Sequence, residues 1–162
     1  MFWIIIAFCV GLDQFTKYLI SSTMTVEETA PFLGELMQFR YILNDGATLS
    51  LLSGRRWLFV GLTIVVLIVV LILHYKVPKE LRGFHIALAF FIGGTLGNFI
   101  DRVRTGYVVD FLDPHMWSIF NVADCFITLS VIALCCMLLF GRLGKLLEKK
   151  DREEKELIND EQ

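Results

Sequence analysis

Four long apolar stretches fix the environment of this chain. Trp57 to Leu73 is a near-continuous apolar run, and residues 1–20, 83–103 and 120–140 are almost as poor in charge. Each reaches, with its flanks, the roughly 20 residues that carry a helix across a bilayer. Backbone in hydrocarbon must satisfy its own hydrogen bonds, so such segments form helices. The composition agrees: 56% of residues are hydrophobic and the mean hydropathy is +0.64, above ordinary soluble usage. The sequence therefore predicts an all-α membrane protein of four transmembrane helices, at about 1–20, 57–77, 83–103 and 120–140, within one unit spanning 1–140, with a charged tail over 141–162. The first segment has no basic n-region and no small-residue cleavage site, which reads as a retained helix rather than a removed signal peptide.

Four spans put both ends of the chain on one side. Lys76, Lys79 and Arg82 fall in the connection between helices 2 and 3, and Arg142, Lys145, Lys149 and Lys150 open the tail. The other side holds Arg40, Arg55, Arg56, Arg102 and Arg104, while Arg152 and Lys155 lie further along the tail. The basic excess near the helix ends assigns both termini to the cytoplasm, with Arg55 and Arg56 pulling the other way. These cations flank membrane segments and do not form a stripe with aromatics, which excludes a nucleic-acid partner. Cys9, Cys125, Cys135 and Cys136 lie in apolar runs with no metal-ligand spacing and read as small apolar side chains. His74, His85 and His115 likewise share no ligand spacing.

The loop between helices 1 and 2, residues 21–56, is then extracytoplasmic and longer than a simple connector. Within it Leu36 to Leu43 partly alternates, Asn44-Asp45-Gly46 supplies a turn, and Ala47 to Leu52 reads as a return strand. A small β-sheet lying on the outer leaflet as a cradle is expected there.

The chemistry concentrates between Gly93 and Asp124, where Asp101, Asp110, Asp113 and Asp124 occur with Asn98 and Asn121 close by. Carboxylates beside hydrocarbon are expensive and mark function. The topology brings Asn98, Asp101 and Arg102 to the outer end of helix 3, Asn121 and Asp124 to the first turns of helix 4, and Asp110 and Asp113 into the connection between them. Asp13 and Lys17, one turn apart on helix 1, fit either a self-neutralising pair or part of a site. Asp101 has neighbouring partners in Arg102 and Asn98 and reads as scaffold, and Asp113 before Pro114 reads as a turn residue. Asp110 ends an apolar, strand-like run without an adjacent cation, and Asp124 sits in the first turns of an apolar helix, where the dipole favours its charge. Two such carboxyls brought close in a dry site split their proton affinities. That split suits general acid–base hydrolysis, one carboxylate taking a proton from water and the other donating to the carbonyl. Gly93 and Gly97 form a small-xxx-small face that admits a close helix neighbour.

At these residues the sequence resembles bacterial lipoprotein signal peptidase (signal peptidase II), a family of four-helix membrane aspartyl proteases. The resemblance rests on DQFTK at Asp13–Lys17, NDGA at Asn44–Ala47, GNFIDR at Gly97–Arg102, GYVVDF at Gly106–Phe111 and FNVAD at Phe120–Asp124, in that order. It implies a catalytic dyad of Asp110 and Asp124, no cofactor and no metal. The implied reaction is cleavage of a prolipoprotein signal peptide before its diacylglyceryl cysteine, at the outer face of the bacterial cytoplasmic membrane. Asn98, Asp101, Arg102 and Asn121 would support the dyad and the bound substrate, and Asp13, Lys17, Asn44 and Gly46 would shape the site. The resemblance further implies partners limited to lipid-modified precursors and membrane lipid, and a monomer. Thr48-Leu49 departs from the family's small residue followed by an aromatic, Trp117-Ser118 replaces a commoner Phe-Pro, and the connection from Asp110 to Asp124 is short.

Three rivals are set against this reading. A small proton-coupled transporter expects acids near the midplane and symmetry between halves. A metal-dependent phosphotransferase expects the acids to hold Mg²⁺. A serine protease would use Ser53, which has no evident base.

Overall fold

The computed structural model describes residues 1–46, 56–139, 141 and 144–152. Four helices long and apolar enough to cross a membrane follow the expected order: α1 (Phe2–Thr23), α2 (Arg56–Lys76), α3 (Arg82–Arg104) and α4 (Val122–Leu139). The tail is helical over 144–152. The Ala47–Leu52 return strand, Thr48-Leu49 and Ser53 lie outside the described residues.

α3 is the central helix, packed against α1, α2 and α4. Half of its apolar window is buried inside the protein, against 11% for α2 and for α4, so those two present most of their apolar surface outward, as helices solvated by lipid do. Small residues let α3 sit at the centre. A Cβ at Gly93 would come within 2.5 Å of Cys9 Cβ on α1, and one at Gly94 within 2.5 Å of the Ala123 carbonyl on α4. Gly97 repeats the contact one turn on, against the Asp13 carboxylate. The Gly93/Gly97 face thus seats α1, while Gly94 seats α4. Towards the end that carries Met1 and the close of α4, Ile6, Val70, Phe84, Leu88, Ala89 and Ile92 close an apolar core among α1, α2 and α3.

At the opposite end a three-stranded antiparallel sheet forms from β1 (Thr29–Pro31), β2 (Gln38–Asn44) and β3 (Val108–Asp113), in the order β1-β2-β3. Two strands come from the α1–α2 loop: β2 falls on the expected Leu36–Leu43 stretch, while β1 lies in a stretch that gave no strand signal. The third is supplied by the α3–α4 connection, whose apolar Val108–Phe111 run is strand-like in the sequence. β2 pairs with β3 through Phe39↔Leu112 and Asn44↔Val108, with a register shift between Phe39 and Ile42. That irregularity matters, because it leaves Asn44 beside the Asp110 carboxylate. Pro31 ends the edge strand, where a missing N–H disturbs no inner ladder. Ile20, Tyr41 and Phe111 pack the sheet onto α1, which runs to Thr23 to reach it.

Candidate active site

The site is assembled from eight polar side chains on five elements: Asp13 and Lys17 (α1), Asn44 (β2), Asn98 and Asp101 (α3), Asp110 (β3), Asn121 just before α4, and Asp124 in its first turn. Its foundation is a buried ion cluster. Lys17 Nζ donates to Asp13 Oδ2 at 3.0 Å, to Asp101 Oδ2 at 2.9 Å and to Asn98 Oδ1 at 2.8 Å. All three ammonium hydrogens are therefore committed. Lys17 is 3% exposed and Asp13 fully buried, so each charge depends on the others for stabilisation. Asp13 also receives the Ala123 N–H of α4 at 3.0 Å, and Asp101 receives the Val109 N–H of β3 at 3.2 Å. The cluster consequently ties α1, α3, α4 and the sheet together. Asp101 bonds Lys17, Gln14 and the Val109 N–H, not the Arg102 and Asn98 that the sequence offers as its partners.

Asp124 belongs to a reciprocal helix cap. Asn121 Oδ1 accepts the Asp124 N–H at 3.0 Å, and Asp124 Oδ2 accepts the Asn121 N–H at 3.2 Å. This is a capping box built from Asn and Asp, and it holds the half-buried carboxylate at the start of α4. Asn98 Nδ2 donates to the other oxygen, Oδ1, at 2.7 Å. Asp110 is held by two amides: Asn121 Nδ2 donates to Oδ1 at 2.6 Å, and Asn44 Nδ2 donates to Oδ2 at 2.7 Å. Asn121, fully buried, thus touches both carboxyl groups, its backbone bonding Asp124 and its side chain Asp110.

Each of these amides is locked the right way round. The Oδ1 of Asn98 faces the Lys17 ammonium, that of Asn44 accepts the Gly46 N–H at 2.8 Å, and that of Asn121 accepts the Asp124 N–H. A group that only donates fixes the oxygen of an amide and leaves the NH₂ for the carboxylate. Gly46 can fill this role because its φ is +94°, and a Cβ there would come within 2.5 Å of the Phe59 ring.

Burial is the main force on Asp110, which is 3% exposed. It pushes the carboxyl up to about 6, with the Asn44 and Asn121 amides opposing and the charge of Asp124 reinforcing the rise. Arg102 lies over the Phe59 ring, its guanidinium carbon 5.3 Å from the centroid, within electrostatic range of Asp124, Asp110 and Asp101. Its guanidinium has no hydrogen bond or ion pair with another described residue. A cavity of about 270 Å³ reaches Asp110, lined also by Ile42, Asn44, Ser118 and Ile119. Asp113 stands apart. Gln38 Nε2 donates to it at 2.8 Å and the His115 N–H at 2.9 Å, as befits a turn, and the Gln38 bond holds its carboxyl below the usual range.

One participant escapes the sequence reading. Gln14 Nε2 bonds Asp101 Oδ1 at 3.0 Å and both Asp13 Oδ2 and the Gly97 carbonyl at 3.2 Å. Its position beside Asp13 in DQFTK is the only local sign. The N-x-x-D spacing from Asn121 to Asp124 was a second available signal, for the cap.

Comparison with known proteins points one way. The model of the family described as signal peptidase (SPase) II matches residues 5–140. Lipoprotein signal peptidase of Moorella thermoacetica is 40% identical over 83% of this chain and 91% of its own length. That of Brevibacillus brevis is 41% identical over 89% and 99%. A solved structure described as a bacterial membrane enzyme, determined by the in meso method at 1.9 Å resolution, superposes with a TM-score of 0.81 at 35% identity, covering 85% of this chain and 92% of that one. With the match running through every helix and strand just described, the chain belongs to the signal peptidase (SPase) II family.

Proposed function

We propose that Asp110 and Asp124 are the catalytic dyad of a membrane aspartyl endopeptidase that removes signal peptides from lipid-modified prolipoproteins. The observation that carries this reading is the pair of carboxyl groups joined through Asn121, each also held by an amide whose orientation is fixed. Nucleophilic water between such groups needs one carboxylate and one carboxylic acid. Asp124, capped by backbone and half-buried, is the base that takes the proton from water. Asp110, raised by burial, is the acid that protonates the scissile carbonyl oxygen. As the tetrahedral intermediate collapses, Asp124 gives its proton to the leaving amine and Asp110 takes back the hydroxyl proton, which restores both groups. Arg102, whose guanidinium has no hydrogen bond or ion pair among the described residues, is available to hold a substrate carbonyl.

The position suits an anchored substrate. A precursor with an apolar signal peptide and a diacylglyceryl cysteine diffuses in the membrane plane, so its scissile bond lies at headgroup depth beside the sheet. On this reading the sheet faces the outside of the bacterial cytoplasmic membrane, both termini are cytoplasmic, and a single chain suffices as the catalytic unit. Asp13, Lys17, Asn44, Gly46, Asn98, Asp101 and Asn121 hold the dyad in place without touching the reacting atoms.

The test is cleavage of a purified lipidated precursor. Asp110→Asn and Asp124→Asn are each expected to lower turnover at least a thousandfold while remaining folded. Near-normal turnover by either variant refutes the dyad. Equal cleavage of a precursor without the lipid refutes the substrate assignment, and loss of activity with chelator refutes a metal-free mechanism.

A further inference from the structure

We infer that the face carrying both chain termini holds a binding site for the headgroup of an anionic phospholipid. A cavity of about 570 Å³ lies there between the α2–α3 turn and the helical segment 144–152, and its lining includes Lys76 and Lys79 from the turn and Lys149 and Lys150 from the tail. Glu80 is the single acidic residue in that lining, beside four lysines. Lys76, Lys79 and Lys150 make no ion pair with any described residue. Cations of one sign around a concavity repel one another, and an anion between them lowers that cost. The volume is in the range of small-ligand sites.

The source of the anion follows from what adjoins the cavity. Tyr75, on its wall, begins an exposed apolar row on α2 that continues through Ile72, Ile68 and Val65 at helical spacing. A phosphate seated among the lysines would therefore have its acyl chains laid along a lipid-facing helix. Basic pockets beside membrane helices capture anionic headgroups in this way. The tail is then a clamp over a bound lipid instead of a solvated extension. This inference does not depend on the dyad, which lies at the other end of the bundle.

The full chain would be purified in mixed micelles holding equal amounts of phosphatidylglycerol and phosphatidylcholine, and retained lipid counted by native mass spectrometry. The parent is expected to retain phosphatidylglycerol preferentially. Lys79→Gln with Lys150→Gln is expected to lower that preference about thirtyfold, which is about 2 kcal/mol. Lys76→Gln with Lys149→Gln, the second pocket doublet, carries the same expectation should the first not fold. Lys145→Gln with Arg152→Gln removes equal charge outside the lining and should leave the preference intact. Equal losses in the outside and pocket doublets would overturn the site in favour of diffuse attraction. Absence of preference in the parent overturns it too, and displacement by equimolar inorganic phosphate would overturn the lipid assignment.

Discussion

Lys17→Met separates support of the fold from support of the chemistry. The substitution keeps the length and apolar stem of the side chain and deletes the one cation shared by Asp13, Asp101 and Asn98. Two carboxylates, fully buried and 8% exposed, then lose their ion-pair partner, which costs about 3–5 kcal/mol. That is a large share of the roughly 5–15 kcal/mol that holds a typical domain together. A separate loss falls on the dyad. Without the ammonium the Asn98 oxygen keeps only the Asn121 amide as donor, at 3.0 Å, and the most this can forfeit is the charge-assisted Asn98–Asp124 bond, about 1.5–3 kcal/mol. At 1.4 kcal/mol per decade this is roughly a tenfold to hundredfold fall in kcat. The two losses respond differently to compensation. Adding Asp13→Asn and Asp101→Asn neutralises the stranded charges, so the triple variant should regain much of its thermal stability in detergent. It should not regain kcat in single-turnover cleavage of a lipidated precursor, since nothing restores the donor to Asn98. If Lys17→Met melts with the parent, the buried cluster is not the foundation described. A triple variant that recovers full rate would show that Asn98 needs no orientation from Lys17.

Further expectations concern individual contacts. If Asp110 is the acid, kcat/KM should fall as pH rises past about 6. Asn44→Leu, which removes a bond that lowers this group, should move the limb to higher pH, and an unmoved limb would detach Asn44 from Asp110. The raised carboxyl also weighs on stability: the folded form binds its proton more tightly than the unfolded one. Stability should therefore decline as pH climbs from about 4 to 6, and Asp110→Asn should flatten that slope in thermal melts. Gly97→Ala pushes a methyl into the Asp13 carboxylate and should cost about 1–3 kcal/mol by overpacking, measurable as a lower melting temperature. Gly46→Ala meets both the positive φ and the Phe59 ring, and should lower activity more than stability because its N–H orients Asn44.

What the sequence made legible and what it hid have physical causes. Apolar length announced the four helices, and the β-type run Val108–Phe111 announced a strand. The partners of that strand were invisible. β2 pairs with β3, far along the chain, and local pattern carries no term for such contacts. Asp101 misleads for a related reason. Arg102 is its neighbour in sequence, but adjacent residues on a helix point about 100° apart, so the carboxylate meets Lys17 across a helix interface instead. That interface exists because Gly93 and Gly97 bring α1 close enough for Lys17 to reach Asp101 and Asn98 on α3. The small residues and the polar ones are therefore parts of one device. A bulkier α3 would move Lys17 out of reach of Asn98 and leave the amide that holds Asp124 oriented by Asn121 alone. On this view the glycines of α3 bear on catalysis through the orientation of an amide, and their replacement should be read in the rate as well as in the melting temperature.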